Sequence, residues 1–233
     1  MLYIIQNDPE VPLGNYADAL LAFGMPYRTV CAYRGEPLPA SADCSALLVL
    51  GGAMSVHDIA DFPFLVDVKR CIRACLDAGV PYLGLCLGGQ LLAVLTGGHV
   101  CCNRWQESGT LPVQLTDAGL TSPLFTGVSP DFPTFQWHHD SFDLPPDGTL
   151  LASSPACPHQ AFSLGTTAFG LQFHPEMLES VLADWCRWTP KTADKTDRYL
   201  ADFTDHTKAY LTASWLILRN FLGCAGLLQI DQA

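Results

Sequence analysis

The chain predicts an α/β fold: a mostly parallel open sheet flanked by helices, with a β-rich insertion and a C-terminal helical extension. Three observations predict it. Short apolar strands alternate with segments of helical period along the first 95 residues. A sharp strand-to-helix turn stands at Tyr82-Leu83-Gly84-Leu85-Cys86-Leu87-Gly88-Gly89-Gln90. A late strand, residues 170–174, returns to the sheet after a long stretch rich in Gly, Pro and Ser turns.

In chain order, residues 2–5 form a strand that runs into a turn at Gln6-Asn7-Asp8-Pro9. A helix follows over residues 16–23 and a strand over residues 27–32. Residues 46–50 are a continuous apolar run, the mark of a strand buried on both faces. A helix over residues 64–78 and a strand over residues 82–85 lead to the elbow, where Leu87, Leu91, Leu92 and Leu95 recur at helical spacing. From about residue 100 to 169 the pattern changes to short strands. Residues 178–188 read as a helix, and Thr189-Pro190-Lys191-Thr192-Ala193-Asp194 breaks it. Tyr199, Phe203, His206, Tyr210, Leu211, Trp215 and Leu218 then recur at helical spacing to near Gly223, and residues 229–233 read as a frayed end. This divides the chain into a domain over residues 1–188 and a helical extension over 189–233. The extension is suited to packing back on that domain, the favoured reading, or to forming a homodimer interface.

Composition agrees with a water-soluble enzyme. Of 233 residues, 49% are hydrophobic and 15% charged, enough for one sizeable core. No apolar run reaches membrane-spanning length, and the N-terminus shows neither a cationic start nor a cleavage site, so a cytoplasmic location is expected. A net charge of −11 argues against nucleic acid or an anionic membrane as partner. The ten cysteines lack Cys-x-x-Cys spacing, so reduced thiols are expected rather than a disulfide framework or a metal site. Cys71 and Cys75, one helical turn apart, read as core fillers.

The chemistry-bearing residues fall in three segments. Cys86 at the elbow meets the first free N–H groups of a helix, an environment that favours the thiolate, the nucleophilic form. In Gly170-Leu171-Gln172-Phe173-His174-Pro175-Glu176, His174 stands at a strand end before proline, and Glu176 is placed to orient its ring. Strand C-terminal ends of a parallel sheet gather on one edge, so His174 can reach Cys86 and complete a nucleophile, a base and an orienter. Gly51-Gly52-Ala53-Met54-Ser55-Val56 follows a buried strand and can present a backbone N–H to a developing oxyanion. Singly, these segments are compatible with a buried structural cysteine, a strand-closing histidine and an ordinary turn.

Together the three segments resemble the class I glutamine amidotransferases, over residues 1 to about 188. Gly-Leu-Cys-Leu-Gly-Gly-Gln-Leu-Leu at the elbow, Leu-Gly-Gly-Ala-Met-Ser-Val at the glycine loop and Gln-Phe-His-Pro-Glu carry the resemblance. Phe135-Gln136-Trp137-His138-His139-Asp140-Ser141-Phe142-Asp143-Leu144-Pro145 is similar to the free-standing branch related to the glutaminase domain of GMP synthase. The resemblance implies a flavodoxin-like sheet and a set of roles. Cys86 would attack the side-chain amide of glutamine, giving a γ-glutamyl thioester. His174 would move protons and Glu176 would hold it. The N–H groups of Gly52 and Leu87 would bind the oxyanion. Gln90 would hold the substrate's amino-acid end, and Trp137, His138, His139 and Asp140 would line the pocket opposite. No cofactor is implied.

Two departures stand out: Ala53 where the family usually has proline, expected to loosen the oxyanion loop, and His139 where it often has glycine, expected to be strained or to reshape the pocket. The chain holds neither a Gly-x-x-x-x-Gly-Lys-Ser/Thr loop nor Gly-x-Gly-x-x-Gly. An ammonia acceptor would therefore be a separate synthase subunit. Two alternatives remain open: a free-standing γ-glutamyl peptide or conjugate hydrolase with the same triad, and a non-enzymatic regulatory protein on this scaffold.

Overall fold

Residues of the central strands point alternately to two helical layers, which makes the fold a three-layer α/β/α sandwich. A computed structural model provides the fold and describes residues 1–188 and 190–229. The first half comprises β1 (Leu2–Gln6), α1 (Asn15–Ala22), β2 (Tyr27–Cys31), β3 (Ala46–Val49), α2 (Phe64–Asp77), β4 (Tyr82–Leu85) and α3 (Leu87–Leu95). The second half comprises β5 (Val100–Cys101), β6 (Glu107–Leu115), α4 (Asp117–Thr121), β7 (Asp131–His138), β8 (Ser141–Phe142), β9 (Thr149–Ser153), β10 (Ala161–Leu164) and β11 (Ala168–Leu171), then α5 (Glu179–Cys186), α6 (Pro190–Ala193) and α7 (Thr196–Cys224). Nine strands form one sheet in the order β2-β1-β3-β4-β11-β10-β9-β6-β7.

The first five strands of that order are mutually parallel. On one face Ile4, Leu48, Leu83 and Leu171 pack with Tyr16 and Leu20 of α1 and with Ile217, Leu218 and Phe221 of α7. On the other, Ile5, Leu47, Val49 and Tyr82 pack with Leu65, Val68, Ile72 and Cys75 of α2 and with Leu91 and Leu92 of α3. Continuous apolar runs such as Ala46-Leu47-Leu48-Val49 are required because each strand buries both faces.

The remaining four strands are antiparallel. The segment expected as a β-rich insertion supplies these strands: β10, β9, β6 and β7 extend the main sheet, and β5 and β8 pair in a small separate sheet. That extension curls. Its last strand, β7, comes back to the chain beyond β11, where the His174 N–H donates to the Phe135 carbonyl at 2.8 Å. The return strand also differs from expectation. It covers Ala168–Leu171 rather than residues 170–174. The ladder with β4 ends where the Cys86 N–H caps the Leu171 carbonyl at 2.8 Å, because β4 turns into the elbow there. Residues 172–174 then leave the parallel ladder to meet β7.

Glycines let the elbow helix sit directly on the sheet. A Cβ on Gly88 would lie 2.1 Å from the Val49 carbonyl oxygen, and one on Gly89 would lie 2.5 Å from that of Leu171. The N-terminus of α3 thus sits over β3 and β11, either side of its own strand β4. Tyr82 fastens the turn by donating its hydroxyl to the Gly88 carbonyl at 2.8 Å.

Among the described residues no helix is long and apolar enough to cross a membrane. Residue 189, part of the expected helix break, and residues 230–233 of the expected frayed end lie outside the described residues.

Because α7 shares the core cluster of α1 and the parallel strands, Phe221→Ala is expected to destabilise the whole chain by about 3–5 kcal/mol. Urea unfolding followed by near- and far-ultraviolet circular dichroism should show one coincident transition. Two separated transitions would mean that α7 folds as its own unit.

Candidate functional site

Three strand ends meet at one sheet edge: the glycine loop after β3, the elbow after β4 and residues 172–176 after β11. Cys86 is the residue between β4 and α3, with φ 47° and ψ −106°. A positive φ is costly for a side chain with a Cβ, and it turns the thiol out of the sheet ahead of the helix N-terminus. Cys86 as a residue is buried, 6% exposed.

His174 and Glu176 are buried beside it. His174 Nδ1 and Glu176 Oε1 are 2.7 Å apart, which leaves Nε2 to face other groups. Gly51 marks how closely the parts approach, because a Cβ there would fall 2.9 Å from His174 Cε1 and 3.5 Å from Cys86 Cβ. A side chain at 51 would separate the imidazole from the sulfur's neighbourhood. Burial opposes charge on His174, but Glu176 and Cys86, by charge and hydrogen bonding, outweigh it and raise the imidazole to about 10. The Glu176 charge reaches further, adding to burial in raising the hydroxyls of Tyr16 and Tyr210.

The backbone that carries His174 is tied down from two sides. Tyr210 of α7 donates to the His174 carbonyl at 2.9 Å, and Ser214 donates to that of Pro175 at 2.6 Å. Asn15 of α1 donates to the carbonyls of Pro175 and Met177 at 2.9 and 3.0 Å. Trp185 of α5 closes on the His174 ring edge-on, with centroids 5.0 Å apart. None of Asn15, Trp185, Tyr210 and Ser214 figured among the expected site residues. Periodicity marks Tyr210 only as a core position of a distal helix, and nothing local links it to residue 174.

The other expected residues lie around this centre. Gly52 and Leu87 are adjacent: a Cβ on Gly52 would fall 3.0 Å from Leu87 Cδ2. Among the described residues neither backbone N–H is given to another group. The Ala53 loop is tied to the turn after β1. The Ala53 N–H, which proline would lack, donates to Asp8 Oδ2 at 3.1 Å, and Asn7 donates to the Leu50 carbonyl at 2.8 Å.

Gln90 is buried and gives its amide to the Asp140 carbonyl at 3.0 Å and to Gln172 Oε1 at 3.4 Å. Trp137 stacks on Phe135 in an aromatic group with Trp185 and Tyr199. His139 is exposed and does not have a positive φ, so the strain expected there is absent. Asp140 accepts from the Asn103 N–H at 3.3 Å through its carboxylate.

A second Cys-His-Glu group lies in the antiparallel half. The donor atoms of Glu107, His138 and Cys157 are all within 4.8 Å of one another, a spacing that could hold a metal ion. Their lone pairs and protons are already engaged, however. Glu107 accepts from Ser154 at 2.8 Å and from Gln160, and it faces His138 Nε2 at 3.3 Å. Cys157 donates to the His159 carbonyl at 3.6 Å, and burial pushes its thiol up to about 11. This group is a closed hydrogen-bond network that holds His138 in place. Two surface cavities, about 450 and 120 Å³, lie away from Cys86, against α2 and against the start of α7.

Two outcomes follow from this geometry. The His174 imidazole should titrate near pH 10 by NMR, and Glu176→Gln should move it down, since a charge that favours the cation is removed. A histidine raised from 6.5 in the unfolded chain adds stability that is complete below pH 6.5 and is lost as pH rises through about 10. Tyr210→Phe should cost about 1–3 kcal/mol in thermal denaturation, because it removes a buried donor to the His174 carbonyl.

A sequence profile for glutamine amidotransferase class-I matches residues 15–183. The glutamine amidotransferase-like protein YfeJ of Salmonella typhimurium is 34% identical over 148 residues, 62% of this chain and 62% of that protein. The glutamine-hydrolysing GMP synthase of Caldanaerobacter subterraneus is 32% identical over 137 residues, 58% of this chain and 25% of that one. One subunit of the glutamine-hydrolysing GMP synthase of Halobacterium salinarum is 33% identical over 143 residues, 60% of this chain and 70% of the relative. The chain therefore spans under two thirds of the first two of these relatives. The crystal structure of a glutamine amidotransferase from Methylobacillus flagellatus superposes with TM-score 0.85 at 26% identity, covering 100% of this chain and 96% of that one. With the matched residues running through the glycine loop, the elbow and the His174 segment, the chain belongs to the class-I glutamine amidotransferase family.

Proposed function

We propose that this chain hydrolyses the side-chain amide of glutamine through Cys86, His174 and Glu176, and that the ammonia serves a synthase on a separate chain. The observation that carries the reading is the placement of Cys86 at the N-terminus of α3, beside an imidazole that Glu176 holds cationic. The Cys86 thiolate attacks the amide carbon, and a C–S bond forms. The N–H groups of Gly52 and Leu87 take the charge on oxygen. The His174 imidazolium gives its proton to the leaving nitrogen, the C–N bond breaks and ammonia departs. Water then attacks the γ-glutamyl thioester, giving its proton to His174. Glutamate leaves and the thiolate is restored. Glu176 keeps the ring oriented throughout.

Met54 is buried beside the glycine loop, with its sulfur 2.5 Å from a Cβ placed on Gly52. Separation of ammonia release from its use is supported by the likeness to a protein that is itself one subunit of a glutamine-hydrolysing GMP synthase.

Incubation with 6-diazo-5-oxo-norleucine, a glutamine mimic that alkylates such thiols, should give one adduct, mapped by mass spectrometry to Cys86. Cys86→Ser should fold normally, form no adduct and lose glutaminase turnover by at least about 10³-fold. Near-normal turnover in Cys86→Ser would overturn the mechanism.

A further inference from the structure

We propose that Gln172 is a further catalytic residue of this site: its side-chain N–H₂ holds the Cys86 sulfur as a thiolate, and Gln90 fixes which end of the amide faces that sulfur. The assignment rests on the role proposed for Cys86.

Gln172 is the first residue past β11 and is completely buried. Its own N–H donates to the Gln160 carbonyl at 2.8 Å, which fixes the backbone where the chain leaves the parallel ladder. From there the side chain turns to the elbow and places Nε2 3.8 Å from Cys86 Sγ, within the range of an N–H to sulfur hydrogen bond.

An amide can present either its donor or its acceptor end, and here the choice is forced by a chain of contacts. The Asp140 carbonyl is backbone and can only accept, so the Gln90 group 3.0 Å from it is the amide nitrogen. That nitrogen is also 3.4 Å from the Gln172 side chain, which must therefore present its oxygen to Gln90. The Gln172 nitrogen is left facing the sulfur. Reversal would set a carbonyl oxygen against the thiolate and two N–H₂ groups against each other.

The energetic need is plain. A cysteine only 6% exposed keeps little water around it to solvate a negative charge. The titratable groups facing it are His174, with Glu176 behind the imidazole. One cation and the N-terminus of α3 lie on one side, and the Gln172 amide supplies a neutral donor from another element. Because that donor does not titrate, it keeps its orientation while His174 gives up and regains its proton.

The test is the rate of Cys86 alkylation by iodoacetamide from pH 5 to 9, measured on the full chain, with folding checked by near-ultraviolet circular dichroism. Gln172→Met keeps the shape and removes the donor. Gln172→Glu puts a carboxylate beside the sulfur. Both should move the pH midpoint of alkylation upward, Glu further than Met. A midpoint one pH unit higher in the Glu variant corresponds to alkylation about tenfold slower at any pH well below both midpoints. Gln90→Met leaves Gln172 in place but frees its amide, so it should shift the midpoint the same way by less. If Gln172→Met does not fold, Gln90→Met decides by the same criterion. A natively folded Gln172→Met with an unchanged midpoint would overturn the assignment and leave the Cys86 mechanism standing. A wild-type chain whose Cys86 is not alkylated at any pH would overturn that mechanism and this proposal with it.

Discussion

The approach of the α3 N-terminus to the sheet is the constraint on which the rest depends. Gly88 lies against the Val49 carbonyl and Gly89 against that of Leu171. The helix starts over the strand ends with no side chain between. Only then does Cys86 occupy the one residue between β4 and α3, with its positive φ and its N–H tied to Leu171. The glycine loop and the His174 segment follow β3 and β11, the two strands that flank β4. A larger residue at 88 or 89 would lift the helix and separate the sulfur from both. Packing, rather than any property of cysteine, therefore decides where Cys86 stands.

The histidine side of the site is built differently. Residues 172–176 leave the parallel ladder and keep only the single bridge from His174 to Phe135, and the carbonyls of His174 and Pro175 are satisfied by side chains from other elements. Tyr210 and Ser214 of α7 and Asn15 of α1 supply those bonds. All three are buried, and an unpaired carbonyl there would be destabilising. The helix at the end of the chain, outside the residues matched to the family, thus bears directly on the placement of His174.

Two Cys-His-Glu groups in one chain show that residue types do not make a reactive centre. Cys157 lies beside His138 and Glu107 but ahead of no helix; its thiol donates to a carbonyl, and burial holds it protonated. Cys86 has a helix N-terminus, an imidazole held cationic by Glu176 and the Gln172 amide. The first arrangement stabilises a neutral thiol; the second sets donors and a cation around the sulfur. The Glu107 network serves the site at one remove, since His138 Nδ1 lies 3.2 Å from the same Asp140 carbonyl that accepts from Gln90.

Local pattern alone determined the α/β class, the elbow at Cys86, the parallel strands and the gathering of Cys86, His174 and Glu176 at one edge. These follow from strand and helix periods, from glycines beside a cysteine and from the rule that parallel strands end on one side. The tertiary structure decided the rest. It ended β11 at Leu171 because β4 ends at the elbow, and it merged the expected insertion into the main sheet by curling β7 back to His174. It also bound the Ala53 N–H to Asp8 and left His139 exposed with an ordinary backbone. Tyr210, Ser214 and Asn15 became part of the His174 support only through contacts between elements far apart in the chain. Periodicity records which face of a helix is buried; it carries no record of which distant carbonyl that face will meet.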